Sequence, residues 1–196
     1  MTCIVALRND DHIYMGSDSA GVCDEDMTIV TRLDKKVFTR SFGEADEQMI
    51  FGFCGSFRIG QLLRYTFIIP IHHKQKSDVE YIVTDFVSHF KNMLKSNGAL
   101  SIDKDTQTEE QDGSLLIGYR DQLFLIEEDF QVGLPAENYS SVGMGSQVAQ
   151  GAMYATENLV LPFSPKDRIE IALNASALFC AGVRGPFTIL NIKNVS

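Results

Sequence analysis

The order of the predicted strands and helices limits the fold of this chain most. Thr2–Leu7 is a short apolar run, and HIYMGSD follows it after the polar turn RNDD, which predicts a β-hairpin. Lys36–Thr39 and Gln48–Cys54 predict two more strands around the turn SFGEAD, and helices capped by Ser56 and Ser77 follow. A second hairpin, SLLIGYRDQLFLIEED, precedes two further helices and the closing strand FTILNIKNV. Because the helices come in pairs, we expect an α+β fold of two antiparallel sheets with helices outside, not a doubly wound parallel sheet.

The helices are predicted from caps and periodicity. In SDVEYIVTDFVSHFKNMLKSNG, Ser77 and Glu80 have the spacing of a capping box, and the apolar residues recur at helical spacing. Gly145–Asn158 predicts a third helix, and SPKDRIEIALNASALFCAG a fourth with Ser164 as its cap. The acidic stretch SIDKDTQTEEQDG predicts a mobile loop. No internal repeat or linker interrupts the pattern, so we expect residues 1–196 to form one domain.

Composition argues against several classes of partner. The net charge of -9 disfavours nucleic acid and anionic membranes. No apolar run approaches the roughly 20 residues that a membrane span needs, and no signal peptide is recognisable, so we expect a cytosolic protein. The cysteines have no CxxC spacing and the histidines no zinc-site spacing, which predicts reduced thiols and neither a metal nor a cofactor.

Four residues at predicted strand ends carry potential chemistry. Thr2 begins the first strand, Asp18 ends its partner in GSD, Lys36 opens a strand in KKVF, and Gly55 follows one in FCGS. Each also has a structural interpretation. Asp18 could cap the turn SDSAG, Lys36 could be a solvated edge charge, and Gly55 could simply form a turn.

Taken together and in order, these segments resemble a known family. The chain resembles the β-subunits of the proteasome and the bacterial HslV-type peptidase, which are N-terminal nucleophile (Ntn) hydrolases. The segments that carry the resemblance are TCIVAL, GSDSAG, KKVF, GFCGS and a later SVGMGS before a helix. The resemblance spans nearly the whole chain in element order and is most specific in the first 60 residues. It implies a four-layer αββα sandwich and a threonine-type peptidase acting on peptides or unfolded proteins. It also implies homo-oligomeric stacked rings of six or seven subunits, working with a separate ATP-driven unfoldase.

The resemblance also assigns roles to the strand-end residues. Thr2 would be the nucleophile, and its own α-amine, exposed by loss of Met1, would be the general base. Lys36 would supply positive charge, Asp18 would hold that lysine, and the Gly55 N–H would line the oxyanion hole. The residue types fit this chemistry, since a hydroxyl needs a nearby base and a free α-amine titrates close to neutral pH.

A substrate pocket follows from the same resemblance. Val22 and Phe53 would flank the side chain that precedes the cleaved bond, with Phe57 nearby. This pocket predicts a preference for apolar side chains at that position.

The chain also departs from the family pattern. Met144 stands where a supporting serine is expected, although Ser146 remains as a candidate supporting residue; Ala181 and Arg184 fall near an expected aspartate and serine. Neither Met144 nor Ala181 can hydrogen-bond the base through its side chain. Two alternatives therefore stay open, a catalytically silent ring or scaffold subunit and an Ntn amidohydrolase acting on a small amide. Cys3 is a rival nucleophile, but strand alternation points it away from Thr2.

Overall fold

The structure of the 196-residue chain is a computed structural model. It describes residues 1–23, 25–43, 47–157, 159 and 163–194. Parts of three predicted elements lie outside these ranges: the second half of the turn SFGEAD, Asn158 at the end of the third helix, and Val195 in the last strand.

The first sheet is built around the predicted N-terminal hairpin. Its order is β12-β1-β2-β13, and every neighbouring pair is antiparallel. Ile4 pairs with Val142 on one side and with Ser17 on the other. The strands are β1 (Ile4–Arg8), β2 (His12–Ser17), β12 (Tyr139–Val142) and β13 (Thr188–Lys193).

The second sheet contains the other predicted hairpin. Its order is β11-β10-β9-β6-β5, again with antiparallel neighbours. The hairpin turns at Arg120 and Asp121, close to the predicted position. The strands are β5 (Val37–Phe42), β6 (Glu47–Phe53), β9 (Leu115–Tyr119), β10 (Gln122–Ile126) and β11 (Val132–Gly133).

Two small hairpins were not predicted from the sequence. One joins β3 (Ala20–Val22) to β4 (Ile29–Thr31). The other joins β7 (Ser101–Ile102) to β8 (Glu109–Glu110) inside the acidic segment expected to be a loop. Its turn is held by Asp103, whose Oδ1 accepts hydrogen bonds from the amides of the next residues along the turn. Local side-chain bonds thus organise a segment whose composition is typical of a loop.

The helices begin where their caps predict. Helix α1 (Phe57–Tyr65) starts after Ser56, whose side chain accepts from the Arg58 amide. One continuous helix follows, formed by α2 (Asp78–Tyr81), a π-helical turn (Ile82–Phe86) and α3 (Val87–Ser96). Helices α4 (Ser146–Glu157) and α5 (Pro165–Phe179) complete the set, and Ser164 forms a capping box with Asp167.

Three apolar cores divide the molecule into four layers. Side chains of the first sheet such as Val5 pack against α4 and α5, while Ile4 and its neighbours face the second sheet. The outer face of the second sheet packs against α1 and the α2–α3 helix. The predicted αββα sandwich is therefore confirmed. None of the helices in the described ranges combines the length and apolar character that a membrane crossing requires.

The contact between the two sheets depends on the absence of a side chain at Gly52. A Cβ there would lie 2.5 Å from Ile4 Cγ2 and 2.8 Å from Met15 Sδ. We expect Gly52→Val to lower the free energy of unfolding by about 1–3 kcal/mol or more, because the added atoms overpack the core. Urea unfolding measures this loss. The matched control is Gly151→Ala on α4, where a Cβ has open space. It should stabilise by up to about 1 kcal/mol, and equal losses in both variants would contradict the packing argument.

Candidate functional site

Four strand ends meet at one edge of the sandwich. Thr2 lies just before β1 and Asp18 just after β2, so both lie at the same end of the first sheet. Lys36 lies just before β5 and Gly55 just after β6, at one end of the second sheet. The ion pair between Asp18 and Lys36 shows that these two ends coincide. The structure thus brings together the residues that the sequence singled out.

The Asp18–Lys36 pair is the charged centre of this site. Asp18 and Lys36 are each 1% exposed, and Lys36 Nζ lies 2.8 Å from Asp18 Oδ1. The same oxygen accepts from the Cys3 amide at 3.0 Å, and Oδ2 accepts from the Ala20 amide at 3.0 Å. Backbone donors from two strand ends therefore fix the carboxylate, which in turn fixes the ammonium.

Burial changes the acid–base balance of the lysine. Desolvation lowers the pKa of Lys36, and the neighbouring Asp18 carboxylate opposes that decrease. A buried ammonium held by a single carboxylate still places a positive charge where a hydroxyl could ionise. The arrangement therefore suits the stabilisation of a developing alkoxide.

Thr2 lies directly beside this pair. The side chain is buried, and its Oγ1 donates to the Met1 carbonyl oxygen at 2.6 Å. Lys36 Nζ lies 3.4 Å from the same oxygen, so the hydroxyl and the ammonium converge on one carbonyl. The Met1 side chain packs on Gly182, where a Cβ would lie 2.3 Å from Met1 Cβ. The residue before Thr2 thus occupies the space next to its hydroxyl.

Two glycines of SVGMGS hold the Thr2 backbone from the other side. The Gly145 amide donates to the Thr2 carbonyl at 3.2 Å. Gly143 has a φ of +92°, and a Cβ there would lie 2.4 Å from the Thr2 oxygen, which only glycine avoids. The segment carries part of the family resemblance, but no role was predicted for these two glycines from the sequence. The sequence signal that could have identified them is a pair of glycines between a strand and a helix.

Gly55 presents an unused backbone donor. It has a φ of +84°, and a Cβ would lie 2.3 Å from the Asp112 carbonyl oxygen, so the turn requires glycine. The flanking amides are occupied, since Cys54 donates to Ser114 and Ser56 donates to Asp112. Among the described residues no acceptor faces the Gly55 N–H, and the residue is exposed. Such an N–H can bind an oxyanion.

The predicted supporting residue Ser146 is the first residue of α4. Its backbone is fixed, because its carbonyl accepts from the Ser141 hydroxyl at 2.8 Å. Met144 is 55% exposed, and Ala181 is also exposed. Ser146 as a supporting hydroxyl stays a prediction.

The three predicted pocket residues differ in accessibility. The Phe53 side chain is 3% exposed and belongs to the core outside the second sheet, where it fills the space that Gly60 leaves open. Its ring meets the edge of Phe57, with centroids 5.6 Å apart. Val22 and Phe57 are partly exposed, and the Phe57 ring lies 5.8 Å from Lys36 Nζ. A ligand could therefore reach Val22 and Phe57 more readily than Phe53.

The rival nucleophile Cys3 is poorly placed for reaction. Its side chain is fully buried among the residues that face α4 and α5, as strand alternation predicts, and it bonds Ser176 Oγ at 3.4 Å. Burial raises the pKa of the Cys3 thiol to about 11, which keeps it protonated at neutral pH. Within the described ranges, no group of three or more His, Cys, Asp or Glu side chains could hold a metal ion.

Removing Asp18 and removing Lys36 should lower the free energy of unfolding by different amounts. We expect Asp18→Ala to destabilise by about 3–5 kcal/mol, because it leaves a buried ammonium without its carboxylate. Lys36→Met should cost less, since the Asp18 carboxylate keeps its two backbone donors. The double variant should recover much of the Asp18→Ala loss. Urea unfolding of the four proteins tests this, and strictly additive losses would contradict the coupling.

Thiol accessibility gives an independent check of the site geometry. Cys23 is exposed, whereas Cys3 is buried with a raised pKa. We expect a disulfide reagent at pH 8 to label Cys23 rapidly and Cys3 only after denaturation. Peptide mapping by mass spectrometry identifies the order. Early labelling of Cys3 in the folded protein would refute the described packing, and Cys23→Ser is the control for the fast phase.

No protein-family model matches the chain, and no curated protein sequence matches it. Several solved structures, by contrast, match its fold. BPH from Thiobacillus denitrificans, in complex with epoxomicin, aligns with a TM-score of 0.78 and 18% identity, covering 99% of this chain and 100% of that one. HslV from Trypanosoma brucei aligns with a TM-score of 0.67 and 13% identity, covering 98% and 99%.

A third structure comes from the protein Anbu, an ancestral β-subunit. The helical assembly of the Anbu complex from Pseudomonas aeruginosa aligns with a TM-score of 0.65 and 16% identity, covering 97% of this chain and 81% of that one. At these identities the likeness concerns the fold. The chain has the fold of the proteasome and HslV-type peptidases, which confirms the fold that its sequence resemblance predicts.

Proposed function

We propose that this chain is a threonine-type peptidase of the proteasome and HslV kind. Its nucleophile is Thr2, exposed by removal of the residue before it, Met1 in this chain. The observation that carries the proposal is the position of the Thr2 hydroxyl beside the buried Lys36–Asp18 pair. The similarly folded BPH binds epoxomicin, which supports a ligand-binding role for this fold.

The first half of the reaction uses the Thr2 hydroxyl and amine together. The α-amine accepts the hydroxyl proton as Oγ1 bonds to the substrate carbonyl carbon. The Lys36 ammonium stabilises the negative charge that develops on Oγ1, and Asp18 keeps it in position. The Gly55 N–H donates to the oxyanion, a contribution of roughly 3 kcal/mol to the barrier.

The second half releases the product. The protonated amine gives its proton to the leaving nitrogen, the C–N bond breaks, and an ester remains on Thr2. A water molecule then passes a proton to the amine and attacks the ester. The acid product departs, and Oγ1 regains its proton.

A form of the chain that begins at Thr2 tests the proposal. We expect it to cleave fluorogenic peptides, and we expect Thr2→Ala to reduce kcat/KM roughly 1000-fold or more because the nucleophile is lost. Thr2→Ser should keep part of the activity, since it retains a hydroxyl beside the amine. Intact mass establishes which chains lack Met1.

The matched control is the same chain with Met1 retained. It should fold equally well, judged by thermal unfolding, but be inactive, because its amine is displaced from Thr2. Equal activity of the two forms would overturn the role of the Thr2 amine. Cleavage unaffected by Thr2→Ala would overturn the nucleophile.

A second candidate, a catalytically silent ring or scaffold subunit, also has specific support. The exposed Met144 and Ala181 offer no side-chain hydrogen bond to the base. This candidate predicts that Met1 persists in protein from the natural host. It also predicts that the chain starting at Thr2 cleaves no peptide.

Assembly is the remaining part of the proposal. We infer a cytosolic homo-oligomer of stacked six- or seven-membered rings that works with a separate ATP-driven unfoldase. At the end of α5, the consecutive residues Leu178 and Phe179 are 76% and 73% exposed, and neighbouring exposed apolar side chains of this kind support an interface there. Light scattering coupled to size exclusion tests the assembly, and a stable monomer would refute it.

A further inference from the structure

Arg32, for which the sequence predicted no role, lies on the approach to the site. The Arg32 guanidinium carbon is 3.9 Å from the centroid of the Phe57 ring. Lys36 Nζ lies 5.8 Å from the same centroid, so the guanidinium is within about 10 Å of the ammonium beside Thr2. Arg32 therefore belongs to the surroundings of the nucleophile.

Arg32 is held in place by three neighbours besides Phe57. Its amide donates to the Ser19 carbonyl at 2.9 Å. Gly21 leaves room for its stem, because a Cβ there would lie 2.6 Å from Arg32 Cδ. Asp34 binds the guanidinium through two bonds, Nε to Oδ1 at 2.8 Å and Nη2 to Oδ2 at 2.6 Å. A preorganised guanidinium loses little freedom when it binds a ligand.

The cluster of Arg32, Asp34 and Arg64 carries more positive than negative charge, although the chain as a whole is acidic. The charge of Lys36 is balanced by Asp18. The Asp34 carboxylate interacts with both Arg32 and Arg64. Arg32 foremost, with a smaller contribution from Arg64, holds the pKa of the Asp34 carboxyl below its usual range. Within this cluster, two guanidinium groups therefore share one carboxylate, in a chain of net charge -9.

Arg32 retains hydrogen-bonding capacity. A guanidinium has five N–H donors in a planar fork, and Asp34 uses those on one edge. In the part of the chain that the structure describes, the Nη1 donors have no acceptor, and the side chain is 35% exposed. The free edge matches the geometry of a second carboxylate.

The position of Gly55 indicates which part of a substrate would meet Arg32. Gly55, whose N–H would bind the substrate carbonyl oxygen, lies two residues before Phe57 in the chain. The attacked carbonyl would also lie beside Lys36 Nζ, which is 5.8 Å from the Phe57 centroid, so the side chain next to that carbonyl extends toward the Phe57 ring and the guanidinium stacked on it. The approach to the site is cationic and aromatic rather than purely apolar.

We infer that Arg32 makes this chain selective for peptides with an acidic side chain, glutamate or aspartate, on the residue that supplies the attacked carbonyl. The inference rests on the proposed peptidase function and names its substrate class. It differs from the apolar preference that the sequence resemblance implies for Val22, Phe53 and Phe57. Arg32 acts as a specificity-determining residue through its contact with the substrate carboxylate.

The test uses the chain beginning at Thr2 and fluorogenic peptides that differ only in the residue before the cleaved bond. Glu, its uncharged isostere Gln, Leu and Arg are compared. We expect kcat/KM for Glu to exceed that for Gln by roughly tenfold or more, because charge-assisted hydrogen bonds are the strong ones. In Arg32→Met the Glu/Gln ratio should fall toward one.

Two further variants separate specificity from folding. Asp34→Asn keeps one side-chain oxygen that can accept from Arg32 Nε but removes the competing negative charge, so the Glu/Gln ratio should rise. Arg8→Met removes the same charge at the far end of β1, where Arg8 contacts the Asp121 carbonyl, and should leave the ratio unchanged. Thermal unfolding establishes that each variant is folded.

Each outcome decides a different point. A Glu preference that Arg32→Met removes and Asp34→Asn raises supports the inference. A preference for Leu or Arg, or a Glu/Gln ratio insensitive to both variants, overturns it while the peptidase function stands. Absence of cleavage for every peptide by protein shown to lack Met1 overturns the proposed function, and the specificity with it.

Discussion

The buried ion pair between Lys36 and Asp18 is the interaction on which the site depends. It joins the end of one sheet to the beginning of a strand in the other, so it is both a structural link and a local charge. Two buried charges are tolerated here because the carboxylate also accepts the amides of Cys3 and Ala20. The strand that carries Thr2 is thereby placed by the same carboxylate that orients the ammonium beside it.

Much of the fold could be predicted because most elements carry a local signal. Caps at Ser56, Ser77 and Ser164 mark helix starts, and the hairpins follow polar turns. By contrast β12, with the sequence YSSV, has neither length nor alternation and exists because β1 needs a partner at its edge. The sequence of that segment alone does not distinguish an edge strand from a loop.

The sequence singled out the candidate site residues that lie at the ends of strands. It missed the residues whose role depends on contacts between distant segments. Strand alternation could have placed Phe53 in the core, since it shares a face of β6 with Phe51. The stacking of Arg32 on Phe57 joins residues from different elements and has no signature in either segment. The support that Gly143 and Gly145 give to Thr2 likewise becomes visible only in three dimensions.

Residues far away in the sequence hold Thr2 in place, and this sets the order of events during synthesis. Its carbonyl is held by Gly145, and its neighbour Cys3 is packed against Ser176, so nearly the whole chain must leave the ribosome before the site exists. At usual elongation rates this takes on the order of 10 s. During that interval the residues around Thr2 are accessible to processing enzymes as unfolded chain. Removal of Met1, which the proposed function requires, can thus be complete before the pocket that would use the Thr2 amine has formed.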